Sequence, residues 1–352
     1  MKRNHLRLIG ILTAAVLLLT MAGCGGSQPA ASGAEPPAGG AAQAAPAPSG
    51  DSVSLSLNHV GAVTHPYQAG AEKFAELVNE RTGGAITIDI FPASQIASGA
   101  KAIEFVQMGT LDIAVESTMS LSNFVSEIDV LNMPFLFDSA EQAFEILDGP
   151  VGDELEKLCE AQGFKVLAWW HNGFRNISNS KRPIAAPEDL KGLSIRIPES
   201  EVFRITFETL GCTATSMPVS EVFTAIQLGT VDGQENPHAN FINNKFYEVN
   251  KYYSITQHIF TAEPVIMSLD RFNSFTPEQQ QILLDAAQEA AVHQRQISAD
   301  LEASQMEDIK SYEGVEVNVI EDMAPFREAV APVYEKFSST LGKYVDMIEA
   351  AK

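Results

Sequence analysis

A six-residue phrase occurs twice in this chain, and no other feature limits its fold as tightly. Gln107-Met108-Gly109-Thr110-Leu111-Asp112 and Gln227-Leu228-Gly229-Thr230-Val231-Asp232 share four identities and two apolar matches in one register. Before the second copy, Pro218, Ser220 and Glu221 suit a helix start. Val219, Val222, Phe223 and Ile226 recur at helical spacing, and Gly229 fits the left-handed residue just past a helix end. A short strand follows. Asn236 precedes Pro237, so its backbone is extended, and it sits at the strand's end, where open α/β sheets bind ligands. Glu116 lies four residues past Asp112, as Asn236 does past Asp232. Glycine-capped helices leading into strands are common, which accounts for part of the match. The shared register favours one supersecondary unit used once in each of two lobes, with Glu116 and Asn236 at equivalent tips across a cleft.

The rest of the chain fits that plan. Val53, Leu55 and Leu57 alternate with serines, and Ile86, Ile88 and Ile90 alternate with Thr87 and Asp89, so both read as strands. Between them His65-Pro66 opens a helix with Tyr67, Ala71, Phe74, Leu77 and Val78 on one face. A helix over 101–108 and a strand over 111–115 complete a βαβαβ run, which predicts a parallel sheet with right-handed crossovers. Strands follow at 164–170, 193–197, 252–256 and 265–269, one of the last two returning to the first lobe. Thr276-Pro277-Glu278 starts a helix that runs to Ser311, long enough to span both lobes. A strand over 315–319 and a helix over 325–341 end the chain. The expected fold is α/β and two-lobed, with a ligand cleft between the lobes. Lobe I takes residues 51–172 and 262–301, and lobe II takes 173–261 and 302–352.

The N-terminus reads as an export signal. Lys2, Arg3 and Arg7 precede an apolar run from Leu8 to Leu19, too short for a membrane span. Met21-Ala22-Gly23-Cys24 resembles a lipobox, so residues 1–23 form a lipoprotein signal peptide and Cys24 the lipid anchor. Residues 24–50, almost all Gly, Ala, Pro and Ser after the cysteine, form a flexible tether. The formal charge of −22 becomes −25 once the three leader cations are removed. That balance argues against nucleic acid and anionic lipid as partners, but not against a small anion held by a local arginine cluster. Cys159 and Cys212 are expected as free buried thiols, with a single disulfide as the lesser alternative. No metal-ligand spacing, phosphate loop, dinucleotide fingerprint or G-x-S-x-G elbow occurs. No cofactor and no catalytic centre are expected.

Arg196 lies in a strand whose Leu193, Ile195 and Ile197 face the other way, and Arg175 follows an aromatic strand end. Guanidinium groups take carboxylates through two parallel hydrogen bonds, although a lone arginine is more often a surface or salt-bridge residue. Trp169 and Trp170 alternate in direction, so at least one belongs to the core. His171 and His238 lie in no recognisable triad.

From about Val53 onward the chain resembles the solute-binding proteins of tripartite ATP-independent periplasmic (TRAP) transporters, of the DctP type. The resemblance rests on "HPYQAGAEKFAELV" at 65–78, "FVQMGTLDIAVES" at 105–117, "LDGPVGDEL" at 147–155, "WWHNGFRNISNSKRPI" at 169–184, "EDLKGLSIRIPES" at 188–200 and "SEVFTAIQLGTVDGQENP" at 220–237. It implies two α/β lobes, joined by crossing strands and a long helix, closing on a carboxylated ligand. It implies Arg196 as carboxylate anchor, Arg175 as second contact, Asn236 pointing into the pocket and Glu116 meeting ligand hydroxyl or amide groups. Asn172 and Trp170, from the "WWHNGFR" phrase, are further candidates, as are His59 and His65. That phrase is similar to members that bind sugar acids, which favours a uronate or aldonate over a C4-dicarboxylate. The implied partners are the small and large integral-membrane subunits. A sensor docking to a signalling receptor would share the fold; an extracytoplasmic lyase would need an acid–base pair.

Overall fold

The computed structural model describes residues 52–352; the leader, Cys24 and the tether lie outside them. The repeated phrase folds the same way twice. The helices Ala100–Gln107 and Val219–Gln227 are followed by Gly109 at φ 70° and Gly229 at φ 72°, a backbone that disfavours any side chain. Thr110 then bonds back to the Phe105 carbonyl and Thr230 to that of Ala225. Asp112 Oδ2 accepts the Ser56 amide at 2.8 Å, and Asp232 Oδ2 accepts the Ser194 amide at 2.9 Å. In each copy the aspartate ties the unit to the neighbouring parallel strand.

The described strands are β1 (Val53–His59), β2 (Ile86–Phe91), β3 (Ile113–Val115), β4 (Phe164–Phe174), β5 (Asn176–Asn179), β6 (Ser194–Ile197), β7 (Thr213–Ser216), β8 (Gly233–Asn236), β9 (Tyr252–Ile255), β10 (Phe260–Ser268) and β11 (Glu316–Val319). They form two sheets, ordered β2-β1-β3-β10-β4 and β11-β9-β5-β8-β6-β7. β1 runs parallel to β2 and β3, and β6 runs parallel to β7 and β8. One antiparallel strand then follows in each sheet, β10 beside β3 and β5 beside β8. Even the register agrees, with Leu57 opposite Ile113 and Ile195 opposite Gly233. The duplication seen in six residues is a duplication of topology.

Two chain crossings join the lobes. β4 runs straight into β5, and β9 leads back into β10. The helix Pro277–Ser311 adds a third link. It begins with a Thr276–Gln279 capping box and Pro277 in the first turn. It packs on the Pro66–Arg81 helix and β4, then farther along on the His238–Asn243 helix and β11. Its Gln294 accepts the His171 amide and donates to the His171 carbonyl, both at 2.8 Å. β4 is an edge strand, so these bonds satisfy backbone groups that no neighbouring strand reaches. Leu55, Leu57, Tyr67, Phe74, Val265, Ala286 and Ala290 pack between the first sheet and these helices. Another core runs from Ile128, Leu131 and Phe164 to Ile195, Phe203 and Phe207. Cys159 and Cys212 are buried and free.

The C-terminal segment departs from the sequence reading. The helix expected over 325–341 is three pieces, Ala324–Ala329, Ala331–Phe337 and Gly342–Ala351. Pro332 sits at the start of the second, where its missing amide costs nothing. The segment also serves both lobes, not lobe II alone. Ala331–Phe337 packs on the helix Glu201–Thr209, while Tyr334 donates to the Pro134 carbonyl at 2.8 Å and Lys343 pairs with Glu154 at 3.2 Å. Phe326, Val333 and Ile348 drive this by burying into the shared core. β7 was not expected, since Thr213–Ser216 is a polar edge strand without alternation.

Candidate functional site

Between the sheets lies a cleft. Its polar lining includes Glu116, Asn172, Arg175, Arg196, Asn236, Asn240 and Glu263, with Lys101, Glu199 and three serines (Ser98, Ser117 and Ser120) beside them and Val60, Met119, Pro198, Pro218 and Val219 supplying apolar wall. The tips of the two repeated units, Glu116 after β3 and Asn236 at the end of β8, both open into it.

Arg196 is placed by strand alternation: Ile195 and Ile197 go to the core, and Arg196 goes to the cleft face. Its Nε and Nη2 both donate to the Met217 carbonyl, at 2.9 and 2.5 Å. Among the described residues it has no carboxylate partner within ion-pair distance. Burial pulls its pKa down to about 9, with Glu235 pulling the other way. A guanidinium kept dry on a single carbonyl has donors that an anion can take.

Arg175 is already matched. Its Nε lies 2.5 Å from Glu235 Oε2 and its Nη2 2.8 Å from Oε1, with both side chains buried. Nη2 also reaches the Glu235 carbonyl at 2.8 Å and Asn236 Oδ1 at 3.1 Å. His258 Nε2 stands 3.3 Å from the same carboxylate. Burial would raise Glu235, but Arg175 and His258 more than offset it and hold it below the usual carboxylate range. Sequence reasoning missed Glu235, although it lies inside the quoted "QENP". Asn236 is fixed as well, its Oδ1 also taking Asn240 Nδ2 at 3.1 Å and its Nδ2 donating to Gln234 at 2.5 Å.

The lobe I wall is acidic and only half satisfied. Glu116 Oε2 accepts the Gly99 amide at 3.0 Å, while Oε1 has no partner. Asn172 Nδ2 donates to Thr261 at 3.1 Å and to Glu263 Oε1 at 2.9 Å, leaving Asn172 Oδ1 and Glu263 Oε2 unpartnered. Burial holds Glu116 well above the usual range, with Glu263 adding to it. Burial likewise pushes Glu263 up to about 8 against the pull of Arg175. Glu263 was not foreseen, because "TAEPVIMS" reads as a plain buried strand.

Three sequence candidates sit elsewhere. Trp170 faces the helices and fills the lobe I core, so close to Gly70 that a Cβ there would lie 2.9 Å from the ring. Alternation along β4 sends Trp169 the other way, where Nε1 donates to Glu156 at 3.1 Å. His59 is buried beside Gln68, with its Nε2 3.0 Å from Oε1. His65 caps the Pro66–Arg81 helix through Nδ1 and meets Asn240 Oδ1 through Nε2 at 3.0 Å, joining the lobes behind the cleft. His171 and His238 also lie outside it, His238 bonding Tyr253 at 2.7 Å. No cluster suited to a metal ion occurs among the described residues.

Two topologically equivalent lobes, linked by crossing strands and enclosing a cleft with one uncompensated guanidinium, are the form of a solute-binding protein. The chain matches, over residues 57–340, the family described as DctP, bacterial extracellular solute-binding protein family 7, and it belongs to that family, the solute receptors of TRAP transporters. The 2,3-diketo-L-gulonate-binding periplasmic protein YiaO of Escherichia coli is 34% identical over 84% of this chain and 90% of its own. An uncharacterised protein of Sinorhizobium fredii is 38% identical over 82% of this chain, which spans only 53% of that relative's length. A TRAP periplasmic solute-binding protein from Sulfitobacter, solved with bound β-D-galacturonate, superposes with a TM-score of 0.81 at 35% identity, covering 84% of this chain and 98% of the other.

Proposed function

We propose that this chain is the extracytoplasmic receptor that captures a sugar acid, a uronate foremost, and hands it to the integral-membrane subunits of a TRAP transporter. The observation that carries this reading is Arg196, a buried cation in the cleft whose only partner among the described residues is a carbonyl. In this reading Arg196 takes the ligand carboxylate through two parallel hydrogen bonds. Arg175 supports it from beside, since its Nε and Nη2 are held by Glu235. Glu116 and Asn172 meet hydroxyls, as their free oxygens allow. The relatives named for or solved with sugar acids support the ligand class. Thermal-shift measurement over uronates, aldonates, C4-dicarboxylates and neutral sugars tests it. A ligand at 100 times its Kd stabilises by about 2.7 kcal/mol, so one or more acids should raise Tm by several degrees, without being consumed. No shift with any acid, or a shift with neutral sugars alone, contradicts the reading.

A further inference from the structure

We infer that Glu263 makes the lobe I wall of the cleft a hydroxyl-reading surface that rejects a second carboxylate, so that the receptor selects polyhydroxy monocarboxylates over dicarboxylates. The inference deepens the proposed function and rests on Arg196 holding the first carboxylate.

Three unpartnered buried atoms line this cleft: Glu116 Oε1, Asn172 Oδ1 and Glu263 Oε2. All are oxygens, and all come from the neighbouring strands β3, β10 and β4 or the residue just past one. Buried polar groups rarely stay unpaired, and oxygens without donors call for a ligand that brings donors. Hydroxyls do so; a carboxylate brings only acceptors. The charges around this wall point the same way. Arg175 is neutralised by Glu235. Lys101 lies at the rim, more than half exposed and bonded to Glu104 at 2.7 Å. Glu199 adds a negative charge to the lining. Tyr67 stands beside Glu263; its hydroxyl makes no hydrogen bond of good geometry yet lies near enough to act on that carboxyl as a donor, and it brings no charge. A second carboxylate pressed here would be buried without a counter-ion, which is costly. Burial raises both acids, Glu263 to about 8, so near neutral pH a protonated Glu263 can donate to a hydroxyl as well as accept from one. As it ionises, repulsion of a second carboxylate grows.

The test compares acids that share a six-carbon hydroxylated chain. D-galacturonate and D-galactonate carry one carboxylate, and galactarate carries two. Calorimetric titration at pH 8.5 should show the tighter monocarboxylate binding at least about 100-fold better than galactarate. Glu263→Gln, verified as folded by circular dichroism, should narrow that ratio about tenfold or more. Should the variant fail to fold, the wild-type ratio measured from pH 6 to pH 9 serves instead, and it should widen as pH rises. A wild-type ratio under about tenfold, an unchanged ratio in the folded variant, or a ratio flat with pH overturns the inference. Succinate serves as a control. If it binds while the six-carbon acids do not, the inference fails and an Arg196-anchored acid receptor stands. If no acid binds, both fail.

Discussion

Arg175 gives Nε and Nη2 to the two oxygens of Glu235, whereas Arg196 gives the same two atoms to one carbonyl. In the proposed function this difference makes Arg175 the structural cation and Arg196 the binding one. Arg175→Met leaves Glu235 buried and unpaired and should cost about 3–5 kcal/mol of stability. Arg196→Met leaves one carbonyl short of a donor and should cost only about 1–2 kcal/mol. Urea unfolding of both variants checks this; equal losses would contradict it. Arg196 was legible in the sequence because L-S-I-R-I-P alternates, and alternation alone sends the arginine away from the core. The partner of Arg175 was not legible, since Glu235 lies on β8, and only the sheet order brings β5 and β8 together. Glu263 was hidden for a related reason. An acid in an otherwise apolar strand gives no sign of which neighbours will deny it a counter-charge.

At the scale of elements, the repeated unit was readable because its signals are local. A glycine at positive φ, an aspartate bonding the next strand and a proline after the tip each act within a few residues. The strands that cross between lobes carried weaker signals. β10 is buried along its whole length, so it lacks the alternation that marks a half-buried strand. β7 is polar and at an edge, and it owes its existence to the parallel ladder with β6 from Ser194 to Ile197. The break before the second C-terminal helix has a local cause, since Pro332 cannot continue a helix and opens the second piece, while Phe326, Val333 and Ile348 bury into the shared core.

For the whole molecule, the lobes are mirrored in topology but unlike in chemistry. Lobe II brings Arg196 and the Arg175–Glu235 pair to the cleft, and lobe I brings Glu116, Asn172 and Glu263. The proposed ligand, with one charged end and one hydroxylated end, matches this division. Cys24, outside the described residues, is proposed to hold the protein at the membrane, on the strength of the small pair before it and the tether after it. Cys24→Ser should abolish labelling by a palmitate analogue and release the protein into the soluble fraction; unchanged labelling would refute the anchor. The chain carries −22, and −25 on the proposed removal of Lys2, Arg3 and Arg7 with the leader, so an anion enters this cleft against the overall field. In the proposed function the Arg196 fork holds it there, and a lysine cannot reproduce that fork. Losing one partner of a desolvated charge pair costs about 2–5 kcal/mol, roughly 30-fold to several-thousand-fold in Kd. Calorimetric titration of wild type and Arg196→Lys with the best acid from the thermal-shift panel measures this directly. The expected result is a folded variant that retains the charge but binds at least about 30-fold more weakly; binding within threefold of wild type would show that Arg196 is not the carboxylate anchor.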